Sequence, residues 1–589
     1  MSELFEVVDE HDERLVLSAS GLLHDFNEAG VLSAADVHVA RRVAALVGED
    51  DERVLLAAAL ATRAVRQGSV CLDLESVREV APDLPWPRAG SWAEAVGASP
   101  LVEDGVLRRE FGLLYLDRYW HQEVQVCSDL LDRLGRVPPP VAQDVLGRGL
   151  LRVFPDASYD EQRAACRSAA ARWTTVLTGG PGTGKTTTVA GLLALLAEQA
   201  ELSGGTLRVA LTAPTGKAAA RLAQAVADAS ALLAPEDQRR LGDLPATTLH
   251  RLLGARRDND TRFLHHRGNR LPHDVVVVDE TSMVSLTMMA RLVEAVRPDA
   301  RLVLVGDPDQ LASVDAGAVL ADLVAGLAGR PDDPVVRLTR THRFGEGIGA
   351  LAAAVRDGSA DAVLAVLRAG GDVELLETDD PAPPLREHLL PPALAVRDLA
   401  EQGDAAGAVE ALGRHRLLLA HRAGRFGVAH WNRQVEHWIS EATGDPLYDA
   451  AYPGRPLLVT ANDYGLGVYN GDTGVVVRDA DGALRAVLDT AGGLRRLGLG
   501  RIGAVETMHA MTIHKSQGGQ ADEVTVVLPP ADARLLTREL LYTAVTRARY
   551  KVRVVGTEES LRAAVSRRVQ RASGLRQRLA ELTPGGEGR

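Results

Sequence analysis

The sequence predicts an α/β fold built on parallel strands, and three stretches predict it. Val176 and Leu177 lead into T-G-G-P-G-T-G-K-T-T, followed by an apolar helix to about 196. D-V-V-V-V-D-E (274–280) and R-L-V-L-V-G-D-P-D-Q (301–310) are apolar runs that end in acids or a polar loop. Continuous apolar runs of this length fit strands buried on both faces. Sheets of that kind bind ligands at the carboxyl ends of their strands.

The first stretch defines the chemistry. Gly179, Gly180, Pro181, Gly182, Thr183, Gly184, Lys185 and Thr186 fit G-x-x-x-x-G-K-[ST]. Glycines let the backbone curl its N–H groups inward, and the following helix adds its positive N-terminal end. The motif predicts a nucleoside triphosphate site, with Lys185 on the β- and γ-phosphates and Thr186 on Mg²⁺. Asp279 is placed to hold the same Mg²⁺, and Glu280 to orient or deprotonate the attacking water. Paired acids at that strand end favour hydrolysis over transfer to a small acceptor. Gln310 is placed to sense the γ-phosphate or its water; the residues alone leave it equally an ordinary loop glutamine.

Composition excludes several classes. Hydrophobic residues make up 46% and charged residues 25%, the balance of a soluble globular protein. The length suggests about four domains. No run of 18 uncharged apolar residues occurs, and the acidic start M-S-E-L-F-E lacks a signal pattern, so a cytoplasmic protein is expected. Cys71, Cys127 and Cys166 lack C-x-x-C spacing, which argues against zinc, iron–sulfur clusters or a disulfide framework. Mg²⁺ carried with the nucleotide is the one metal implied. A net charge of −13 means that a nucleic-acid partner must be held by a local groove potential. Only Lys185, Lys217, Lys515 and Lys551 are lysines among 66 basic residues, and three of them fall in motifs.

In chain order, residues 1–108 read as a helical domain, with Ser33 capping one helix and Gly68 ending another. No catalytic constellation falls there, so docking or structure is its expected role. Residues 109–140 read as a linker ending in P-P-P-V, and 141–334 as the first α/β domain. Asp160 leads a helix whose Gln162 reaches either an adenine edge or solvent. A-P-T-G-K (213–217) is a second strand–turn–helix, with Lys217 able to grip a phosphate. Arginines crowd 255–273 as a solvated loop or a nucleic-acid contact. Residues 335–444 and 506–575 read as two parts of a second α/β domain, interrupted at 445–505 by short strands with N-G-D-T-G and D-A-D-G turns. Residues 576–589 read as a disordered tail. Two α/β regions imply a cleft, with Arg343 and Arg547 able to reach across it to the γ-phosphoryl charge, although either arginine taken alone reads better as a surface ion pair.

The ordered set G-G-P-G-T-G-K-T, A-P-T-G-K-A-A-A-R-L, V-V-V-D-E-T-S-M-V, V-G-D-P-D-Q-L-A-S-V, T-I-H-K-S-Q-G and L-L-Y-T-A-V-T-R-A-R resembles superfamily 1 DNA helicases over most of 158–557. Ala312 stands where many relatives have proline; this and G-V-Y-N-G-D-T-G (467–474) are similar to the RecD family of RecBCD (exodeoxyribonuclease V) subunits. The resemblance implies two RecA-like P-loop motor domains, a helical N-terminal domain and an inserted SH3-like β domain. It makes Gln162 the adenine reader, Gln310 the coupling residue, and Arg343 and Arg547 the γ-phosphate arginines. It places Lys217, Thr512, His514 and Ser516 in motifs that touch single-stranded DNA or couple it to ATP. It also implies ATP-driven 5′→3′ unwinding of duplex DNA ends for recombinational repair, RecB and RecC as partner subunits, and docking through the N-terminal domain. Two other readings stay open: a stand-alone helicase, and a scaffold subunit with a vestigial ATPase.

Overall fold

The computed structural model describes residues 12–256, 259–341, 345–447, 451–463, 465–490, 492–569 and 571–581. Six strands form the first sheet in the order Val335–Leu338, Thr174–Gly179, Arg301–Gly306, Val275–Val278, Val209–Ala213, Ala246–Thr248, and every neighbouring pair is parallel. The four valines of the acid-tipped strand are fully buried, as a strand covered on both faces requires. Thr174–Gly179 lies near the sheet centre and feeds the P-loop helix Lys185–Leu202. The strand Val335–Leu338, expected in the second α/β domain, instead closes the edge of the first sheet beside the P-loop strand. Its V-V-R-L pattern specifies a strand but carries no information about which parallel neighbour it joins.

A second parallel sheet has the order Val373–Glu377, Ala548–Gly556, Ala521–Val527, His415–Leu419, Ala510–Thr512. Between its strands at 415–419 and 510–512 the chain leaves to build a five-stranded antiparallel sheet, ordered Gly493–Gly498, Leu484–Thr490, Thr473–Arg478, Pro456–Val459, Val505–Thr507. That excursion ends two residues beyond the expected 505, because Val505–Thr507 completes the sheet beside Pro456–Val459. The expected linker-plus-helix at 376–413 holds two helices, Ala382–Glu401 and Ala405–Arg414, and Pro391 and Pro392 lie inside the first.

The N-terminal helices Ala34–Val47 and Glu52–Arg66 pack beside a three-stranded antiparallel sheet, Cys71–Asp73, Leu113–Leu116, Leu107–Glu110. The Asp36 carboxylate accepts the Ser33 N–H at 2.8 Å, closing the first turn of its helix. Residues 109–140 are therefore not a linker: they hold most of a hairpin and the helix Asp117–Leu134, whose Val126, Cys127 and Leu130 are buried. Its mixed aromatic and charged texture reflects a helix with one buried stripe.

The tail also departs from expectation, since Leu575–Glu581 is a helix with Leu575 and Leu579 buried. Ahead of it, the Ala572 carbonyl accepts the Val70 N–H at 2.8 Å, tying the end of the chain to the N-terminal domain. Among the described residues no helix is long and apolar enough to cross a membrane.

Candidate functional site

The carboxyl ends of the first sheet meet the second sheet's helix Arg538–Val545 and its loop 516–520 around a pocket of about 880 Å³. The P-loop forms its floor. Gly182 (φ 81°) and Gly184 (φ 83°) adopt the left-handed backbone that glycine tolerates. The Lys185 ammonium donates to the Gly179 and Gly180 carbonyls at 2.5 and 2.9 Å. Thr183 donates to the Gly180 carbonyl at 2.9 Å, while Pro181, Gly182, Gly184, Lys185 and Thr186 line the pocket. Gln162 is 1% exposed behind this loop, and its amide nitrogen donates to the Thr183 carbonyl at 3.3 Å. Its Oε1 is buried without a partner, and Gln162 backs the P-loop rather than lining the pocket.

Asp279 and Glu280 line the same pocket from the end of the valine strand. Burial first, and then the neighbouring Glu280, push the Asp279 carboxyl above its ordinary range. A divalent cation shared with Thr186 would relieve that cost, and the oxygen donors present suit Mg²⁺. Glu280 holds φ 50° and ψ 41°, and only Phe111 shares a positive φ among described non-glycine residues. This strained backbone aims the second acid into the pocket, a feature the sequence does not signal.

The third strand end carries a chain of contacts between the sheets. Tyr542 donates to Asp307 at 3.0 Å, and the Gln310 amide donates to the same carboxylate oxygen at 2.9 Å. Arg547, 4% exposed, donates to Gln310 Oε1 at 2.8 Å and to the Thr543 carbonyl at 3.1 Å. Burial lowers the Arg547 pKa, opposed by Glu280 and Asp307. Thr543 Oγ1 accepts the Leu311 N–H at 2.9 Å, and Arg221 donates to the Gly518 carbonyl at 3.1 Å. The sequence reading did not single out Tyr542, Thr543 or Arg221; Tyr542 lies in the L-L-Y-T-A-V-T-R stretch, where an aromatic inside a polar-ended helix was the available signal.

Beside this pocket runs a wider channel, open to solvent and spanning about 2050 Å³, bordered by both sheets, the inserted sheet and the N-terminal domain. Lys217, Thr512 and His514 line it, as do Arg422 and Lys515. Burial lowers Lys217 to about 8, and its ammonium donates to the Gly471 carbonyl at 3.4 Å. Burial, with Arg571 and Arg422 adding repulsion, pushes His514 down to about 4 and keeps it neutral. Ser516 is not brought to the channel; it is 6% exposed and donates to the Ile513 carbonyl at 2.7 Å. Arg343 lies outside the described residues. Of the arginine-rich stretch, Arg267 pairs with Asp129 at 2.7 Å and Arg270 donates to the Val296 carbonyl, so these two serve the fold.

A P-loop pocket closed by a glutamine–arginine bridge to a second parallel sheet defines a motor ATPase of the superfamily 1 helicase type. Family models describe the same parts: an AAA domain at 157–378, a UvrD-like helicase C-terminal domain at 507–555, and the N-terminal domain of RecBCD enzyme subunit RecD at 28–110. RecBCD enzyme subunit RecD of Mycobacterium tuberculosis H37Rv is 60% identical over 96% of this chain and 98% of its own length. The Mycolicibacterium smegmatis subunit is 60% identical over 95% and 99%. The ATP-dependent RecD2 DNA helicase of Deinococcus radiodurans is 33% identical over 80% of this chain and 59% of that one. The chain belongs to the RecD family.

Proposed function

We propose that this chain is the ATP-dependent 5′→3′ DNA helicase subunit of a RecBCD helicase–nuclease, assembled with RecB and RecC and acting on duplex DNA ends. The observation that carries this is the pairing of an ATP-shaped cleft with a basic channel beside it, in a chain of RecD family membership. ATP is held with adenine at Gln162 and its phosphates at 179–186; Thr186 and Asp279 would hold Mg²⁺, which would supply positive charge to the phosphates. Lys185 turns from the loop carbonyls to the β- and γ-oxygens. Glu280 orients the attacking water and takes its proton. Arg547, with Arg343 as its partner from the T-H-R-F motif, neutralises charge developing on the γ-phosphoryl group. The Asp307–Gln310–Arg547 bridge feels that change and passes it to the second sheet.

In the channel five cationic side chains face one acid, Glu506. In a protein of net charge −13 this local reversal supports a polyanionic strand as its occupant. Lys217, Thr512 and His514 are its contacts, and Ser516 acts behind them by holding the loop. The polarity and partner subunits rest on the motif set and the family.

The decisive experiment measures ATP hydrolysis with and without single-stranded DNA, then unwinding of duplexes carrying a 5′ or a 3′ overhang. Stimulation by DNA and unwinding from the 5′ overhang are expected. Absent stimulation leaves a scaffold, and 3′ preference overturns the polarity.

A further inference from the structure

The N-terminal domain reaches the strand channel. Arg66 and Gln67, at the end of helix Glu52–Arg66, line it together with Arg571 of the C-terminal segment and Val314 of the first sheet's loop. Three chain segments lock at this corner. The Gly317 N–H donates to the Gly68 carbonyl at 2.9 Å, and Arg571 donates to the Asp315 carbonyl at 3.2 Å. A β-carbon on Gly68 would lie 3.0 Å from the Arg571 guanidinium carbon, so the N-terminal domain sits tightly against the channel wall.

Arg66 is held rather than free to wander. Its Nε and one Nη donate to the buried Asp36 carboxylate at 3.2 and 2.6 Å, while 43% of its side chain stays exposed. An arginine oriented by a buried acid is pre-organised to meet a second anion. Arg63 and Arg66 in the last turn also offset the negative carbonyl end of their helix. Next to it Val314 is 73% exposed, offering apolar surface where the rest of the corner is polar.

We infer that the N-terminal domain is one wall of the single-stranded DNA channel, with Arg66 binding a backbone phosphate and Gln67 beside it. The domain is then part of the motor's grip on DNA, beyond any docking role. This rests on the channel being the strand path proposed above.

Full-length protein is titrated with a labelled oligothymidylate at several salt concentrations, comparing wild type with Arg66→Glu, Gln67→Glu, Arg42→Glu and Arg422→Glu. Gln67→Glu places negative charge on the same wall without touching the Asp36 pair, and Arg42 is an exposed arginine of the same domain away from the channel. Arg66→Glu is expected to weaken binding about tenfold and to flatten the salt dependence by about 0.7. Gln67→Glu weakens it in the same direction, while Arg42→Glu changes neither quantity. Wild-type affinity in both Arg66→Glu and Gln67→Glu, with Arg422→Glu weakened, overturns this inference and leaves the channel standing. Equal weakening by Arg42→Glu reduces the effect to net charge and also overturns it. If the wild type does not bind, or Arg422→Glu binds as wild type, the channel assignment itself fails.

Discussion

Glu280 carries two loads, a strained backbone and the second pocket acid, and substitutions separate them. A left-handed backbone costs a residue with a β-carbon about 1–2 kcal/mol. Glu280→Gln keeps the strain and removes the base, so ATP hydrolysis is expected to fall about 10²–10⁴-fold with thermal stability unchanged. Glu280→Gly removes both, and its gain in φ freedom roughly offsets the extra entropy of unfolded glycine. Its stability should therefore stay within about 1 kcal/mol of wild type, with hydrolysis as low as in Glu280→Gln. Turnover near wild type in either variant removes Glu280 from the chemistry. Lys185→Gln should fold normally yet show no DNA-stimulated turnover, read by melting and by phosphate release. These positions were legible in the sequence because each motif is a contiguous run whose neighbours fix its geometry. The φ of Glu280 was not, since it arises from how strand and loop are pinned by the rest of the sheet.

At the level of elements, the closing helix Leu575–Glu581 illustrates what periodicity cannot deliver. Residues 576–589 read as a tail, yet Arg578 is 5% exposed and makes a double contact with Glu110 at 2.8 and 2.6 Å. The guanidinium also lies 5.3 Å from the Phe111 ring and 5.7 Å from that of Trp120. Partners more than 450 positions away leave no local trace, whereas the capped helix after Ser33 was readable from four residues. Arg578→Ala is expected to destabilise the protein by about 2 kcal/mol, discounted because Glu110 keeps partial access to water.

Beneath the same segment, burial pushes Asp322 to about 7 against hydrogen bonding with Ser573, with Glu123 adding repulsion. The folded state therefore holds a proton that the unfolded state releases near pH 4, so stability falls as pH rises from about 4 to 7 and then levels off. Asp322→Asn should flatten that window in melting curves collected across it. An unchanged slope would place the titration elsewhere.

For the whole molecule, the boundaries that matter are those the sheets impose. A truncation after residue 108 cuts through the hairpin Leu107–Glu110/Leu113–Leu116, so removal of the N-terminal domain ends after Leu116, and because it takes Glu110 from Arg578 the shortened chain is first shown to be folded by its melting curve. Full-length chain should co-purify with RecB- and RecC-like subunits, while the chain lacking 1–116 should not; retention of both places the docking surface outside this domain. Within the chain, the two parallel sheets communicate through a few polar contacts at the pocket's edge, and Gln310 is the one that touches both Asp307 and Arg547. Each bond to a charged group contributes about 1.5–3 kcal/mol, enough to shift a closure equilibrium about tenfold or more. Gln310→Ala removes both while leaving the P-loop, Glu280 and the channel in place. ATP affinity and basal hydrolysis should change less than about threefold, whereas stimulation by single-stranded DNA should fall at least about tenfold. The measurement is kcat for ATP at zero and saturating DNA. Retained stimulation would mean that closure does not depend on the Gln310 bridge and is carried by other contacts between the sheets, among them Tyr542 on Asp307, Thr543 on Leu311 and Gln517 on Leu311.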